Sequence, residues 1–557
     1  MKKLVCSSAV AIALLTSCSG GKLGQLSSDY FKVNPNPLEA EKGNVSATID
    51  GMFPEQYMQK KATVTVTPEL RFVRDGQQQA VKGQSAAFQG EKVLGNDQTI
   101  NYKLGGHYTM KTNFKYEPAM EKSELWLNFD ARIGDKLMYV PSVKVADGVL
   151  STSELYHQTL TTAQPSMSTD AFQRVIAQKQ DANIKFLIEQ AELRKSELKS
   201  NSVQEFVSLL KRISADRQTL NLKSVEVSAY ASPDGGVALN EKLANKRQAN
   251  TEKYVKQQLK QAAIDSPVDA SYTAQDWEGF QQLVKASNIQ DKDVILRVLS
   301  MYKDPEEREQ QIKNMSHGFQ ELADGILPEL RRARMTINYE TIGRSDEQIA
   351  AQLQNDASQL SVEELLYAAS KAQTAAEQER IYKTTTQQYP KDARAYNNLA
   401  SLALTSGDYT TAQQWLEKAR QADGSNAEVN ANLGLLALLQ GNVQAAEGYI
   451  GRAANADNLA ETLGNLHLAQ GNYALAEQDF SNVNSNSAAL AQILNKNYAK
   501  AAQTLQHVKT PNGMTDYLQA IVNARQGNKQ AAASFLRSAL QKDPSLQQYA
   551  DNDLELK

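Results

Sequence analysis

Apolar and polar residues alternate along several short segments between residues 44 and 150. Alternation at every second position is typical of β-strands that bury one face. Residues that favour turns, chiefly Gly, Pro and Asp, separate these segments at short intervals. The pattern predicts a β-sandwich, immunoglobulin-like in outline, over residues 44–150. The main segments are Val45–Ile49, Ala62–Phe72, Thr99–Leu104, His107–Tyr116, Leu125–Phe129, Leu137–Val140 and Val143–Val149.

A strand pattern gives way to a helix pattern near residue 230. Val225, Val227 and Ala229 alternate with polar residues, and Ser232–Gly236 then interrupts the strand with Pro, Asp and two Gly. From Val237 onward, apolar residues recur at steps of three and four, with Lys and Arg on the other face. This segment is therefore predicted to be a strand, a tight loop and a helix.

The residues around this segment show further strand and helix patterns, enough for a complete α/β domain. Strands are predicted at Ile184–Ile188 and Arg334–Tyr339, and Ser202–Ile213 has one apolar helical face. Three additional helical segments lie between residues 260 and 332, where we expect Trp277 and Phe280 to pack the extra helices onto the sheet. The prediction is an α/β domain over residues 183–340 with a helical insertion.

Short helices separated by a repeated turn dominate the chain from Val362. The turn contains Gly407, Gly441, Gly471 and Gly527 in corresponding positions. A single helix pair cannot bury its apolar face, so consecutive pairs stack into a solenoid. We predict about six such pairs, forming an α-solenoid over residues 362–557 in a multidomain α+β protein.

Polar segments connect these predicted domains. Residues 151–182 are rich in Ser, Thr and Gln and predict a linker, and residues 341–361 predict a hinge. Residues 18–43 predict a flexible tether. Before the tether, a basic start and the apolar run Leu4–Leu15 predict a signal peptide over residues 1–17, since the run is too short to span a bilayer.

Composition narrows the classes of function. The 557 residues carry a formal net charge of −3, which gives no basic field that would attract nucleic acid. The five His residues are scattered along the chain, and no zinc-protease, nucleotide-binding or serine-hydrolase motif is present. We therefore expect a protein with no cofactor, no metal and no catalytic site, although carboxylates that are distant in sequence could still assemble one.

The N-terminal segment Leu15–Cys18 resembles a bacterial lipobox. The resemblance implies cleavage before Cys18, acylation of its thiol and amine, and attachment to a membrane through this lipid. Cys6 would leave with the signal peptide, so the mature chain would hold no free thiol. The alternative is an ordinary secretory signal with a coincidental Cys.

The segment from Ala229 to Arg247 resembles the OmpA-like domain, a periplasmic module that binds peptidoglycan, and its enlarged form is similar to modules of Bacteroidetes outer-membrane proteins. The resemblance places Asn240 and Arg247 at the positions of the Asn and Arg of that family. Ser232 occupies the position of the Asp that, together with the Arg, binds diaminopimelate, and Asp234 lies two residues further on. The candidate peptidoglycan site is therefore Arg247, Asn240, Asp234 and Ser232. The alternative for Arg247 is a solvated helix residue.

The repeats from Val362 resemble tetratricopeptide (TPR) repeats. Small and apolar residues recur at a spacing of 34 residues in the two best-conserved units of the pattern. The resemblance implies that protein partners bind the concave face. Asn397, Asn398, Asn430 and Asn432 lie on first helices and are candidates for this face, with surface filler as the alternative. The matching positions are Tyr396, Leu399, Ala400, Ala412, Leu416, Ala419 and, 34 residues later, Asn430, Leu433, Gly434, Ala446, Ile450 and Ala453.

These resemblances together give two hypotheses. The first is a lipoprotein of the outer membrane, facing the periplasm, that tethers to peptidoglycan and recruits a protein through its TPR repeats. The second is an assembly factor of an envelope or secretion complex, in which the OmpA-like domain docks protein and no longer binds peptidoglycan. Exposure on the cell surface stays open, and the β-sandwich could be a spacer or a recognition module.

Overall fold

The computed structural model describes residues 23–289, 292–314 and 320–556. The predicted signal peptide, residues 1–17, and the predicted lipidation site, Cys18, lie outside these residues. Among the described helices, none is long and apolar enough to cross a bilayer. The chain divides into two units: unit 1 comprises Met1–Thr169 and Ala369–Lys557, and unit 2 comprises Asp170–Ala368.

Unit 1 begins with two β-sheets that bury their facing side chains in one core. Its strands are β1 (Phe31–Asn34), β2 (Leu38–Glu41), β3 (Asn44–Phe53), β4 (Ala62–Arg74), β5 (Gln77–Lys82), β6 (Ala86–Gly90), β7 (Gln98–Ile100), β8 (Gly106–Lys115), β9 (Glu124–Ile133), β10 (Lys136–Met138), β11 (Val143–Asp147) and β12 (Val149–Leu150). One sheet contains β1, β2, β3, β8 and β12, and the other seven strands form the second sheet. The alternating burial along β3 and β8 follows directly from their alternating sequences.

The β-sheets start earlier than the sequence pattern predicts. Leu23 and Leu26 are buried in the core, and Phe31 on β1 pairs with Gly51 on β3. Residues 23–43 therefore belong to the folded domain, and the predicted tether over 18–43 is wrong for this part. Pro35 and a second Pro two residues later shorten β1 and β2 to four residues each, so neither strand shows a long alternating pattern.

Helices arranged in consecutive pairs make up the rest of unit 1. They are Ala375–Gln388, Ala393–Thr405, Tyr409–Ala422, Ala427–Leu439, Val443–Ile450, Leu459–Ala469, Tyr473–Asp479, Asn486–Leu494, Tyr498–Gln506, Gly513–Arg525, Lys529–Lys542 and the short Gln547–Ala550. The turns between pair members contain Gly407, Gly441, Gly471 and Gly527, with φ from +68° to +81°. These angles favour glycine, which explains why the repeat keeps Gly there.

Glycines also allow two helix pairs to approach closely. A Cβ atom on Gly434 would lie 2.4 Å from Cγ1 of Ile450, and one on Gly464 would lie 2.6 Å from the ring of Phe480. Both neighbours are buried. The small residues of the repeat pattern therefore correspond to real contact points between the first and second helix of a pair.

Unit 2 is built on a four-stranded sheet in the order β13-β16-β14-β15. The strands are β13 (Val175–Lys185), β14 (Leu220–Tyr230), β15 (Val268–Thr273) and β16 (Arg332–Ile342). β16 runs antiparallel to β13 and β14, whereas β14 and β15 are parallel. The helix Asn201–Ala215 buries its apolar face in the same core as the sheet, and Val237–Gln261 contributes Val255 and Leu259 to that core. The mixed α+β class is thus confirmed.

Three features of unit 2 differ from the predictions. β13 begins at Val175, inside the predicted linker 151–182, and its first half is exposed; Val175, Ile176 and Ala177 are consecutive apolar residues, so no alternation marked this strand. The predicted hinge 341–361 contains the helix Asp346–Asn355, which starts with a Ser345 capping box. Trp277 and Phe280 pack in a core of the inserted helices that is separate from the sheet core. Among the described residues of unit 2, the other helices are Lys195–Leu198, Trp277–Ala286, Lys292–Met301, Pro305–Lys313, the π-helical turn Leu322–Ile326, Leu327–Leu330, the short 3-10 turn Ala357–Gln359 and Val362–Lys371, in which the unit ends.

Candidate functional sites

A segment of the chain itself runs along the first helices of the repeats in unit 1. We call residues 151–169 the strap. The strap contains the short helix Tyr156–Leu160 and then continues without regular structure. Leu155 and Leu160 are buried among the repeat helices, and Thr159 accepts a hydrogen bond from the Ser487 hydroxyl at 3.1 Å. Residues 151–169 are therefore part of the folded unit and not a free linker.

Three of the four predicted groove residues bind the backbone of the strap. Asn432 accepts a hydrogen bond from the Ser166 N–H (2.8 Å) and donates one to the Ser166 carbonyl (2.7 Å). Asn398 makes the equivalent pair with Ser168, at 2.8 Å and 2.9 Å. Asn397 donates to the Ser166 carbonyl at 3.0 Å. All three Asn side chains are almost fully buried, so these bonds form away from water.

The spacing of these contacts shows how the surface binds the backbone of an extended polypeptide. The two residues held by paired amide bonds, Ser166 and Ser168, are separated by one residue, as expected when an extended chain turns alternate residues to one side. A side-chain amide has both a donor and an acceptor, so it can satisfy the N–H and the C=O of one residue. The surface thus recognises peptide backbone more than side-chain identity.

Asn430, the fourth predicted groove residue, has a different role. Its amide donates to the carbonyls of Gly424 (3.1 Å) and Asn426 (2.7 Å), which precede the same helix. It therefore fixes the connection into the helix Ala427–Leu439 and does not contact the strap through these bonds. The 34-residue spacing places Asn430 at the position of Tyr396, whose hydroxyl donates to the Thr386 carbonyl at 3.4 Å.

Ser401 and the C-terminal residues complete the contacts of the strap, and sequence reasoning missed them. The Ser401 hydroxyl donates to the Ser166 carbonyl at 3.0 Å. The Thr152 hydroxyl donates to Glu555 at 2.5 Å, and Glu555 also accepts from Arg525 at 2.7 Å. Ser401 follows Asn397 by one helical turn, which is the spacing that could have revealed it.

In unit 2, the predicted Arg247 is buried and already bonded. It is only 1% exposed. Its guanidinium donates to the carbonyls of Tyr230 (2.9 Å), Gln190 (2.9 Å) and Leu187 (3.4 Å), and it lies 5.1 Å from the ring centre of Phe186. Burial, and to a lesser extent the nearby Arg331, lower the pKa of Arg247 to about 10, although Asp234 opposes the shift. Arg247 is therefore a charged residue that ties the strand ends to the helix.

The loop after β14 forms a second network beside Arg247. Asp234 accepts a hydrogen bond from the Ser232 hydroxyl. Its carboxylate also forms an ion pair with Arg331, in which Oδ2 lies 2.9 Å from Nη2. Arg331 also donates to the Ser232 hydroxyl at 3.2 Å. Asn240 donates to the carbonyls of Ser232 (2.9 Å) and Gly235 (2.8 Å), so it holds the loop against the helix.

The four predicted residues thus meet at one end of the sheet, but their polar groups are largely occupied by partners within unit 2. The Arg331 side chain in this network is mostly buried and paired with Asp234. Within the described part of the chain, no cluster of His, Cys, Asp and Glu side chains has the arrangement of a metal site.

Similarity to known proteins identifies one element directly. Residues 381–414 match the tetratricopeptide repeat family model. They cover the end of the helix Ala375–Gln388, the helix Ala393–Thr405 with Asn397 and Asn398, and the start of Tyr409–Ala422. The TPR assignment of the C-terminal repeats is therefore confirmed in this segment. No curated protein matches the sequence.

Several solved structures resemble parts of the chain at low overall similarity. A tetratricopeptide repeat protein from Parabacteroides merdae is 17% identical, with a TM-score of 0.29, and covers 44% of this chain and 98% of its own. PilF from Pseudomonas aeruginosa is 18% identical, with a TM-score of 0.26, over 37% of this chain and 93% of its own. Yeast Tom70 is 12% identical, with a TM-score of 0.24, over 63% and 78%. TM-scores this low carry no further argument.

Proposed function

We propose that this protein is a non-catalytic scaffold that recruits protein partners through its TPR repeats. The observation that carries the proposal is the match of residues 381–414 to the TPR family together with the strap bound along the repeats. The strap is a polypeptide held by its backbone, and a surface that holds one extended segment in this way is chemically suited to another.

We further propose that lipid on Cys18 anchors the chain to the outer membrane on its periplasmic side. The support is the order of basic start, apolar run and Cys in residues 1–18. Since β1 begins at Phe31 and Leu23 is buried, only residues 18–22 would separate the lipid from the folded domain. Such a short tether would hold unit 1 close to the membrane surface. Replacement of Cys18 by Ala should release the protein from the membrane fraction.

We favour the second of the two hypotheses for the OmpA-like region of unit 2, in which it docks protein and does not bind peptidoglycan. The support is the state of the two charged groups that a diaminopimelate ligand would need. Arg247 is buried and bonded to three carbonyls, and Asp234 is paired with Arg331. Binding of a zwitterion would require both groups to exchange internal partners for the ligand, which costs free energy.

One observation favours the first hypothesis, in which unit 2 binds peptidoglycan. Ser232, Asp234, Asn240 and Arg247 meet at one end of the sheet, as the family resemblance requires. Sedimentation of the soluble chain, without residues 1–18, with purified peptidoglycan separates the two proposals. We expect no sedimentation above a bovine serum albumin control. Sedimentation that is lost on Asp234→Ala, in a protein that stays folded, would establish the tether instead.

A further inference from the structure

A polar cavity of about 490 Å³ lies beside the strap in unit 1. One wall is formed by Thr162 and Gln164 of the strap, and the opposite walls come from the connections around Asn458, Asn484 and Lys509. The strap residues that bind the Asn side chains follow directly after this wall. The docked strap therefore forms part of the cavity lining.

The carboxylate of Glu461 lines this cavity and lacks a full set of partners. Glu461 is 6% exposed, and its Oε1 atom is buried with no hydrogen-bond donor. The backbone of Gln164 provides a hydrogen bond to the carboxylate, yet burial still raises the pKa of Glu461 to about 7. A buried carboxylate oxygen without a donor destabilises a folded protein by a few kcal/mol unless a ligand satisfies it.

The remaining lining suits a polypeptide. Neutral amide and hydroxyl groups predominate around Glu461, as on the surface that binds Ser166 and Ser168. Lys509 is the cationic side chain among the lining residues, and it is exposed at its own position rather than paired with Glu461. A cation that reaches Glu461 must therefore come from outside, and it must carry groups that the amides can bind.

We propose that this cavity binds a lysine or arginine side chain of a partner polypeptide, with the cationic group on Glu461 and the flanking backbone on the neighbouring amides. The inference rests on the proposed recruitment of a protein partner and names the site and chemistry of that contact. A charge-assisted hydrogen bond to a buried carboxylate is among the stronger polar contacts in proteins, so the cation should dominate the preference for a ligand.

The test uses the full chain and a capped pentapeptide with a central lysine flanked by serines. The matched probe has norleucine in place of lysine, which preserves the length of the side chain and removes its charge. By isothermal titration, wild type should bind the lysine peptide at least about tenfold more tightly than the norleucine peptide. In Glu461→Gln this ratio should fall to about one, because Gln keeps the shape and loses the charge.

A second variant covers the case in which Glu461→Gln alters the fold. Thr510 is exposed and lines the cavity, so Thr510→Trp should block the site without disturbing the core and should abolish binding of both peptides. Equal binding of the two peptides by wild type, or a lysine preference that survives in Glu461→Gln, would overturn the inference. Photo-cross-linking in cells tests recruitment separately: a cross-linked partner with no lysine preference would refute this site alone.

Discussion

Replacement of Arg247 by Ala tests whether this residue stabilises unit 2 or is free to bind a ligand. Two short hydrogen bonds to backbone carbonyls, both 2.9 Å, would be lost. Bonds to a charged group contribute about 1.5–3 kcal/mol each, and burial of three methylene groups adds about 2 kcal/mol.

An opposing effect reduces this loss. The pKa of Arg247 is lowered from its ordinary value to about 10, so the charged form is disfavoured by about 3 kcal/mol, and the Ala variant no longer buries this charge. The net expectation is a destabilisation of about 3 kcal/mol, with a range of about 2–5 kcal/mol. Lys246→Ala is the matched control, since Lys246 is the exposed neighbour on the same helix and should change stability by less than about 0.5 kcal/mol.

Tryptophan fluorescence can follow the unfolding of unit 2 within the full chain. The chain has three Trp residues, and only Trp277 lies in unit 2. In a background with Trp126→Phe and Trp415→Phe, urea unfolding followed by fluorescence reports on the inserted helices of unit 2. A midpoint for Arg247→Ala equal to that of Lys246→Ala would refute the structural role. Arg247 would then again be a candidate for binding peptidoglycan.

Three further predictions concern unit 1. Gly434→Ala should destabilise the repeats by about 1–3 kcal/mol despite the better helix propensity of Ala, because the new Cβ would lie 2.4 Å from Ile450. Thermal unfolding followed by circular dichroism measures this change, and an unchanged melting temperature would contradict the close approach. Asn398→Leu should remove both bonds to Ser168 and speed proteolysis within the strap, whereas equal cleavage of variant and wild type would show that these bonds do not hold it. Because burial raises the pKa of Glu461 to about 7, the protonated group stabilises the fold at low pH, and this contribution is lost as pH rises from about 4.5 to 7. Wild type should therefore lose stability relative to Glu461→Gln between pH 5 and pH 8, and parallel pH profiles would exclude the shift.

The sequence predicted those elements in which apolar residues or glycines recur at a regular spacing. The alternation of β3 and β8 and the repeated Gly turns of the solenoid all reflect side-chain burial, and each corresponds to an element of the structure. The strap has no such period. It is held largely through backbone atoms of Ser166 and Ser168, which leave no mark in the sequence of the bound segment, so residues 151–169 resembled a linker.

The candidate site residues illustrate the same limit. The resemblance to TPR repeats selected Asn397, Asn398 and Asn432, since they lie on first helices, but it could not say that their ligand is part of the same chain. The OmpA-like pattern selected Arg247 by position, and Asp234 because it lies two residues after Ser232, which occupies the Asp position of that family. It could not show that the burial of one and the pairing of the other would satisfy both, because those partners come from distant segments.

The strap also imposes an order on biosynthesis. Ser166 leaves the ribosome long before Asn432, since 266 residues separate the two partners of their hydrogen bonds. Unit 2 is continuous over residues 170–368, and its first and last segments meet where the rings of Phe172 and Tyr367 lie 4.6 Å apart. We therefore expect unit 2 to fold as an independent body during translation. The strap cannot form its hydrogen bonds to the repeats until the repeat helices have been synthesised. During that interval, the strap and the incomplete solenoid are the parts of the nascent chain that a chaperone would need to protect.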